Sequence, residues 1–401
     1  MHESTSLRIS LYHHYYHHQP LPPAMSHTPT SALSADNIFF HPLPPAHSPL
    51  PGKESHGRYM LTVPWSRVSG WGQPKISPRA ELSFDPLSGV LQYAVTCFEG
   101  MKCYKRENGD LTLFRPKANF NRLKRSAARL GLPSEWDNDE LLSLLSKLLA
   151  LEAPLVPQED GGNLYIRPNI VETSEGSVIQ QAPLVEEALL YIVTTVNFGK
   201  KLYPSAESPE QGLKLDANKE FIRAWPGGTG SYKLGANYGP VSTAKKQGYA
   251  MSLWLHGKED YISEAGAMNM FVIKQAQDGY LEFITMSLEN GIVLPGITRD
   301  SIINLLNAHA KGENIIEGLQ KEIRVVERDI GMPELVAANE DGSLKGMFGC
   351  GTGIVVVSIR EILYEGKTQT LPYAPVVLAL RDTMTALHRG KKEYQDWLYV
   401  V

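Results

Sequence analysis

The sequence predicts a two-domain protein of the α/β (α+β) class, in which short strands and a few amphipathic helices surround two cores. Three observations predict it. At 401 residues the chain is long enough for two domains of ordinary size. Runs of strand-like composition are interleaved with helical apolar patterns. Between the halves lies a polar stretch with Pro204, Pro209 and Gly212, which has the composition of a connection. The expected boundaries are a His- and Pro-rich disordered leader over 1–56, a smaller N-terminal α/β domain over 57–198, a linker over 199–212 and a larger C-terminal domain over 213–401.

Ordered sequence begins near Tyr59–Val63. Trp71-Gly72-Gln73-Pro74 reads as a turn. Leu91–Val95 has strand-like composition and leads into Cys97-Phe98-Glu99-Gly100-Met101-Lys102. Leu111–Phe114 is a further strand. Pro116 opens an amphipathic helix with Phe120, Leu123, Ala127 and Leu130 on one face, and with Arg122, Lys124, Arg125 and Arg129 carrying a charge that reads as mostly solvated. Asp137 and Asn138 can cap the next helix, which runs to about Leu151. Leu164–Pro168 is a strand that places Arg167 in apolar surroundings. There it is either a structural arginine or a two-pronged grip for a carboxylate. Ala188–Thr195 is a buried strand.

In the second half, Met251–Leu255 is a strand. The run Tyr261–Ile273 holds a single acid, Glu264, among small and apolar residues. Leu294-Pro295-Gly296-Ile297-Thr298-Arg299 ends at a helix start, a ready phosphate seat through free N–H groups and the helix dipole. Met347–Gly353 reads as a second glycine-rich loop, and Val376–Leu387 as a C-terminal amphipathic helix.

Composition excludes several classes. The chain is 42% hydrophobic and 20% charged with a net charge of -4, which gives no electrostatic reason to expect nucleic acid. Apolar runs such as Ala188–Val193 are too short to span a bilayer. Cys97, Cys103 and Cys350 do not make a disulfide framework and favour a reducing compartment. No spacing suggests a metal site. The leader has only Arg8 and no amphipathic pattern, so it does not read as a mitochondrial presequence, and a cytoplasmic location is expected, with a mitochondrial one as the alternative. The leader also holds nine of the 12 histidines. Only His256, His309 and His388 remain in the ordered part, none beside a nucleophile motif, and a Ser-His-Asp hydrolase is poorly supported.

The stretch that organises the chain is Gly227–Gly239, where glycines and small residues crowd Lys233. Glycine is costly inside a helix, so this is a loop of close approach. A phosphate-binding P-loop needs Gly-Lys followed by Ser or Thr, whereas Tyr232 precedes and Leu234 follows this lysine. A solvated lysine and a Schiff-base lysine for pyridoxal phosphate remain. The isolated acid and the phosphate seats suit the second, because that cofactor needs a lysine, an anion for its ring nitrogen and donors for its phosphate.

With these residues the chain resembles the branched-chain amino-acid aminotransferases, two-domain fold-type IV pyridoxal-phosphate enzymes (D-amino-acid aminotransferase-like) with the cofactor at the domain interface. The matching stretches run in order from about residue 58: Gly72-Gln73-Pro74, Phe98–Lys102, Phe114-Arg115-Pro116, Leu164–Pro168, Gly230–Gly239, Leu253–Gly257, Ser263–Gly266 through Asn269, Leu294–Arg299 and Phe348–Thr352. The resemblance implies that Lys233 is the Schiff-base lysine and the acid/base. It implies that Glu264 partners the ring nitrogen, Tyr238 the phenolic oxygen, and Arg122, Ile297, Thr298 and Thr352 the phosphate. Tyr93, Phe98, Tyr165, Arg167, Thr352 and Gly353 match the substrate pocket. It implies a homodimer, with branched-chain amino acids, 2-oxo acids and glutamate as the small-molecule partners.

There are departures. Ala236 stands where many relatives have glycine, and Gly353 where alanine is common. The Cys-x-x-Cys pair of some members is replaced by Ile354–Val357, which removes that redox switch. The alternatives are a D-amino-acid aminotransferase, an aminodeoxychorismate lyase, a specialised-metabolism aminotransferase of the same family, or a non-catalytic paralogue.

Overall fold

The structure, a computed structural model, describes residues 33–42, 55–175, 185–199, 212–242, 247–313 and 315–401. The linker residues 200–211 and the leader residues 1–32 and 43–54 lie outside the described residues.

Two sheets organise the chain. The first runs in the order Phe39–Phe40, Lys75–Pro78, Tyr59–Ser66, Glu187–Phe198, Gly162–Glu172, Met101–Lys105, Leu111–Phe114 and Leu398–Val400, with Thr96–Phe98 paired onto Gly162–Glu172. Its long strands alternate between buried and half-buried residues, as a sheet with one face on the core must. The helices Pro116–Arg129 and Asn138–Glu152 cover that face. Pro116 sits in the first turn, where its missing N–H costs nothing. Phe120, Leu123 and Ala127 are fully buried on one stripe, and each large one contributes about 1.5–3 kcal/mol. The Asp137 carboxylate caps the second helix by accepting from the Asp139 and Glu140 N–H groups at 2.6 and 3.3 Å.

The second sheet runs Tyr261–Ala265, Met251–His256, Leu213–Asn218, Val355–Tyr364, Leu344–Gly351, Met268–Gln275, Leu281–Thr285 and Ile323–Glu327. Tyr261–Ala265 also pairs with Met268–Gln275, so the strands between them close on themselves around an apolar interior that includes Leu215, Leu253 and Ile359. The helices Ile297–Ala308 and Val376–His388 pack outside around Phe271, Phe348 and Leu380.

Several expectations are corrected. The leader is not unstructured to residue 56: Leu33 is buried, and Phe39–Phe40 pairs with Lys75–Pro78. Leu91–Val95 is not a strand. The Glu172 carboxylate accepts the Gly89 N–H and starts a short helix, Gly89–Tyr93, before the strand begins at Thr96. Met347–Gly353 is not mainly a loop, because Leu344–Gly351 is a strand. Its glycines let neighbours approach, and a Cβ on Gly349 would lie 2.8 Å from the Met268 methyl. The C-terminal segment does not stay with the second sheet: Leu398–Val400 returns to pair with Leu111–Phe114 of the first.

Candidate active site

The lysine loop is fastened to the first sheet. The Phe98 N–H donates to the Lys233 carbonyl at 3.0 Å, and Leu234 bridges Cys97. Gly230 is the close approach that its sequence announces: a Cβ there would lie 2.2 Å from the Ile292 carbonyl oxygen. Lys102 ties the sheets again, with its Nζ donating to the Gly353 carbonyl at 2.7 Å. Arg122 does so a third time, donating from Nη1 to the Pro295 carbonyl at 3.0 Å.

These ties enclose a cavity of about 420 Å³. Phe98, Arg122, Tyr165, Arg167, Lys233, Tyr238, Ile297, Thr298, Thr352 and Gly353 all line it. Two expected residues do not. Glu264 lies behind the wall, 2% exposed. Tyr93 is 53% exposed on the short helix Gly89–Tyr93 and does not line this cavity.

The Lys233 amine lies 3.0 Å from the Tyr238 hydroxyl and 4.9 Å from the Phe98 ring centroid. Burial of the amine and the nearby Arg122 charge push its pKa down to about 8. Burial, with the Glu264 charge, pushes Tyr238 up to about 12, so its hydroxyl keeps its proton at neutral pH. Because only the free amine attacks an aldehyde, capture of pyridoxal phosphate by the apoprotein should accelerate with rising pH and be half-maximal near 8. Stopped-flow absorbance checks this. A midpoint near 10.5, the ordinary lysine value, would contradict the dry setting of this amine.

Glu264 is held from three sides. Its Oε1 accepts from the Leu294 N–H at 2.9 Å and from Asn269 Nδ2 at 3.1 Å, while Oε2 pairs with Arg223 Nη2 at 3.0 Å. Burial pushes this carboxyl up, and Arg223 opposes the rise. Arg223 is a residue that sequence reading missed. Its only signal was a cation in the segment Phe221–Trp225 that leads into the loop.

At the other end, Arg122 is forked onto Glu99, with Nε to Oε1 at 2.6 Å and Nη2 to Oε2 at 2.9 Å. Burial pushes Glu99 up, but the charge and hydrogen bonds of Arg122 outweigh it and hold Glu99 below the usual carboxylate range. Arg122 is therefore not solvated, unlike most charges on its helix. Beside it the helix Ile297–Ala308 starts at Gly296 with no side-chain cap, so its first N–H groups remain available. On the substrate side, the Arg167 guanidinium lies 4.5 Å over Phe98 and 5.2 Å over Tyr165, and its Nη2 is 3.3 Å from the Tyr165 hydroxyl.

Residues 96–362 match the family model described as amino-transferase class IV. The chain belongs to that family. The cytosolic branched-chain-amino-acid aminotransferase of Saccharomyces cerevisiae is 34% identical over 385 residues, covering 92% of this chain and 98% of its own. The mitochondrial one of Bos taurus is 37% identical over 373 residues, 90% of this chain and 88% of its own. The crystal structure of the branched-chain aminotransferase from the thermophilic archaeon Thermoproteus uzoniensis with norvaline shares the fold, with a TM-score of 0.64 at 23% identity over 85% of this chain and 99% of that one. The class IV fold thus accounts for the two sheets and for the cleft between them.

The residues present fit pyridoxal phosphate. A buried carboxylate is backed by an arginine, a lysine has a lowered pKa, and a buried arginine stands beside an uncapped helix start.

Proposed function

We propose that this aminotransferase moves the amino group of L-leucine, L-isoleucine or L-valine to 2-oxoglutarate, giving branched 2-oxo acids and L-glutamate. The observation that carries the proposal is the cleft itself. One lysine amine faces a phosphate seat at one end and an aromatic, arginine-edged compartment at the other. The curated relatives named above support the same reading.

In this proposal Lys233 anchors the cofactor, Glu264 meets its ring nitrogen and Tyr238 its phenolic oxygen. Arg122, Thr298, Thr352 and the N–H of Ile297 hold its phosphate. When bound, pyridoxal phosphate supplies an electron sink for the bond broken at the substrate Cα. Glu264, paired with Arg223, would accept the proton-bearing ring nitrogen as its hydrogen-bond partner. Lys233 would take the proton from the substrate Cα and hand it back as the acid, a transfer its lowered pKa suits near neutral pH. Phe98 and Tyr165 give an aliphatic side chain apolar walls, and Arg167 holds the side-chain carboxylate of glutamate in the second half-reaction. Thr352 and Gly353, which line the cleft, would meet the substrate carboxylate.

We expect a homodimer. Leu91, Tyr93, Ile222 and Trp225 are each more than half exposed, apolar side chains that a second copy would cover, and in this proposal Tyr93 serves the partner's cleft. No helix among the described residues is long and apolar enough to cross a membrane. The two curated relatives carry one cytosolic and one mitochondrial name. A cytoplasmic location is our proposal.

The test is the visible spectrum of the holoenzyme with successive substrates. L-Leucine should bleach the bound cofactor, and 2-oxoglutarate should restore the colour. A spectrum that responds to D-alanine and ignores all three branched L-amino acids overturns the substrate assignment.

A further inference from the structure

The helix Pro116–Arg129 does more than present Arg122. Residues 122, 125, 126 and 129 recur at the three- and four-residue spacing that shares one helical face. One turn beyond Arg122, Arg125 donates from Nη1 to the Ser231 carbonyl at 3.1 Å and from Nη2 to Ser231 Oγ at 3.0 Å. Its guanidinium lies 4.6 Å over the Tyr232 ring, and that of Arg129 lies 5.7 Å over the same ring. Ser126, 1% exposed, accepts the Lys233 N–H at 3.0 Å. One face of one helix therefore holds Ser231, Tyr232 and Lys233 in succession and reaches the phosphate seat through Arg122.

This matters because the glycine-rich loop has little conformational preference of its own. The Lys233 backbone is gripped on both sides, by Phe98 at its carbonyl and by Ser126 at its N–H. The amine then sits at the end of a flexible four-carbon stem. A backbone displacement on the order of 1 Å can cost about 100-fold in rate when it misplaces a reacting group.

We infer that Ser126 and Arg125 are positioning residues that fix the reach of the Lys233 amine relative to the Arg122 end of the cleft. The inference rests on the reading of Lys233 as the cofactor anchor. Neither side chain touches the reacting atoms. Ser126 acts through the lysine backbone, and Arg125 acts through Ser231 and Tyr232.

The test uses Ser126→Ala, Ser126→Thr and Arg125→Met as purified holoenzymes, with borohydride trapping of the cofactor and peptide mapping of each. Ser126→Ala and Arg125→Met should lower kcat by about tenfold while KM for L-leucine changes less than about twofold, the signature of misplacement rather than lost binding. Both should move the pH midpoint of the bound cofactor's absorbance, which a merely structural role would leave in place. Ser126→Thr, which keeps the acceptor, should stay near the parent on both counts. If Ser126→Ala does not fold, Arg125→Met carries the test, because Arg125 is at an exposed position. The inference is overturned if the cofactor maps to Lys233 while midpoint and kcat match the parent, whatever happens to Tm. If the cofactor maps to another residue, the reading of Lys233 falls with it.

Discussion

Lys233→Ala is expected to keep less than about one-thousandth of the parent turnover, because it removes covalent anchoring and proton transfer together, and general acid–base catalysis alone is typically worth about 10²–10⁴. No neighbour can take over. Lys102 is spent on the Gly353 carbonyl, and Arg122 is committed to Glu99 and Pro295. Tyr238 is held protonated by burial and by Glu264. Substrate binding should survive better than turnover, because Phe98, Tyr165 and Arg167 are untouched. Steady-state kinetics of the reconstituted variant checks this, and multiple turnovers at a parental rate would assign the base elsewhere.

The second large effect falls on stability. Arg122→Met should destabilise the fold by about 3–5 kcal/mol, because it strands a buried carboxylate without its counter-charge. Glu99 is 0% exposed and retains only the Asn119 amide and the Gly100 N–H. Without Arg122, burial is opposed by no more than the Lys233 charge and the Asn119 hydrogen bond, and Glu99 shifts toward the protonated form. The double variant Glu99→Gln with Arg122→Met should recover much of the loss while leaving the phosphate end short of its cation. Urea unfolding of the two variants separates these contributions. A single-variant loss under about 1 kcal/mol would show that the fork is not what holds this end of the cleft.

How far the sequence reveals this site depends on the range of the signal. The helix at Pro116 and the cap at Asp137 were legible because both rest on neighbours within one turn. The lysine loop and Glu264 were legible because each breaks its local pattern: glycines where an element would exclude them, and an acid within an apolar strand. What escaped is long-range. Glu99 and Arg122 are 23 residues apart, and no spacing rule joins a strand end to a helix face. The charge on that helix read as mostly solvated, which is the usual fate of such charges, and only the resemblance singled out Arg122. Arg223 meets Glu264 only because a loop and a strand come together in the folded chain. At Leu91–Val95, β-favouring side chains were overruled by Glu172, a residue 83 positions from Gly89. At Met347–Gly353, glycine marked close packing on Met268 inside a strand.

The measurement closest to the central claim is borohydride reduction of the holoenzyme followed by proteolysis and mass mapping. A single modified peptide is expected, with the reduced cofactor on Lys233. A modified Lys102, or reduction that leaves every lysine free, would contradict the role given to this residue.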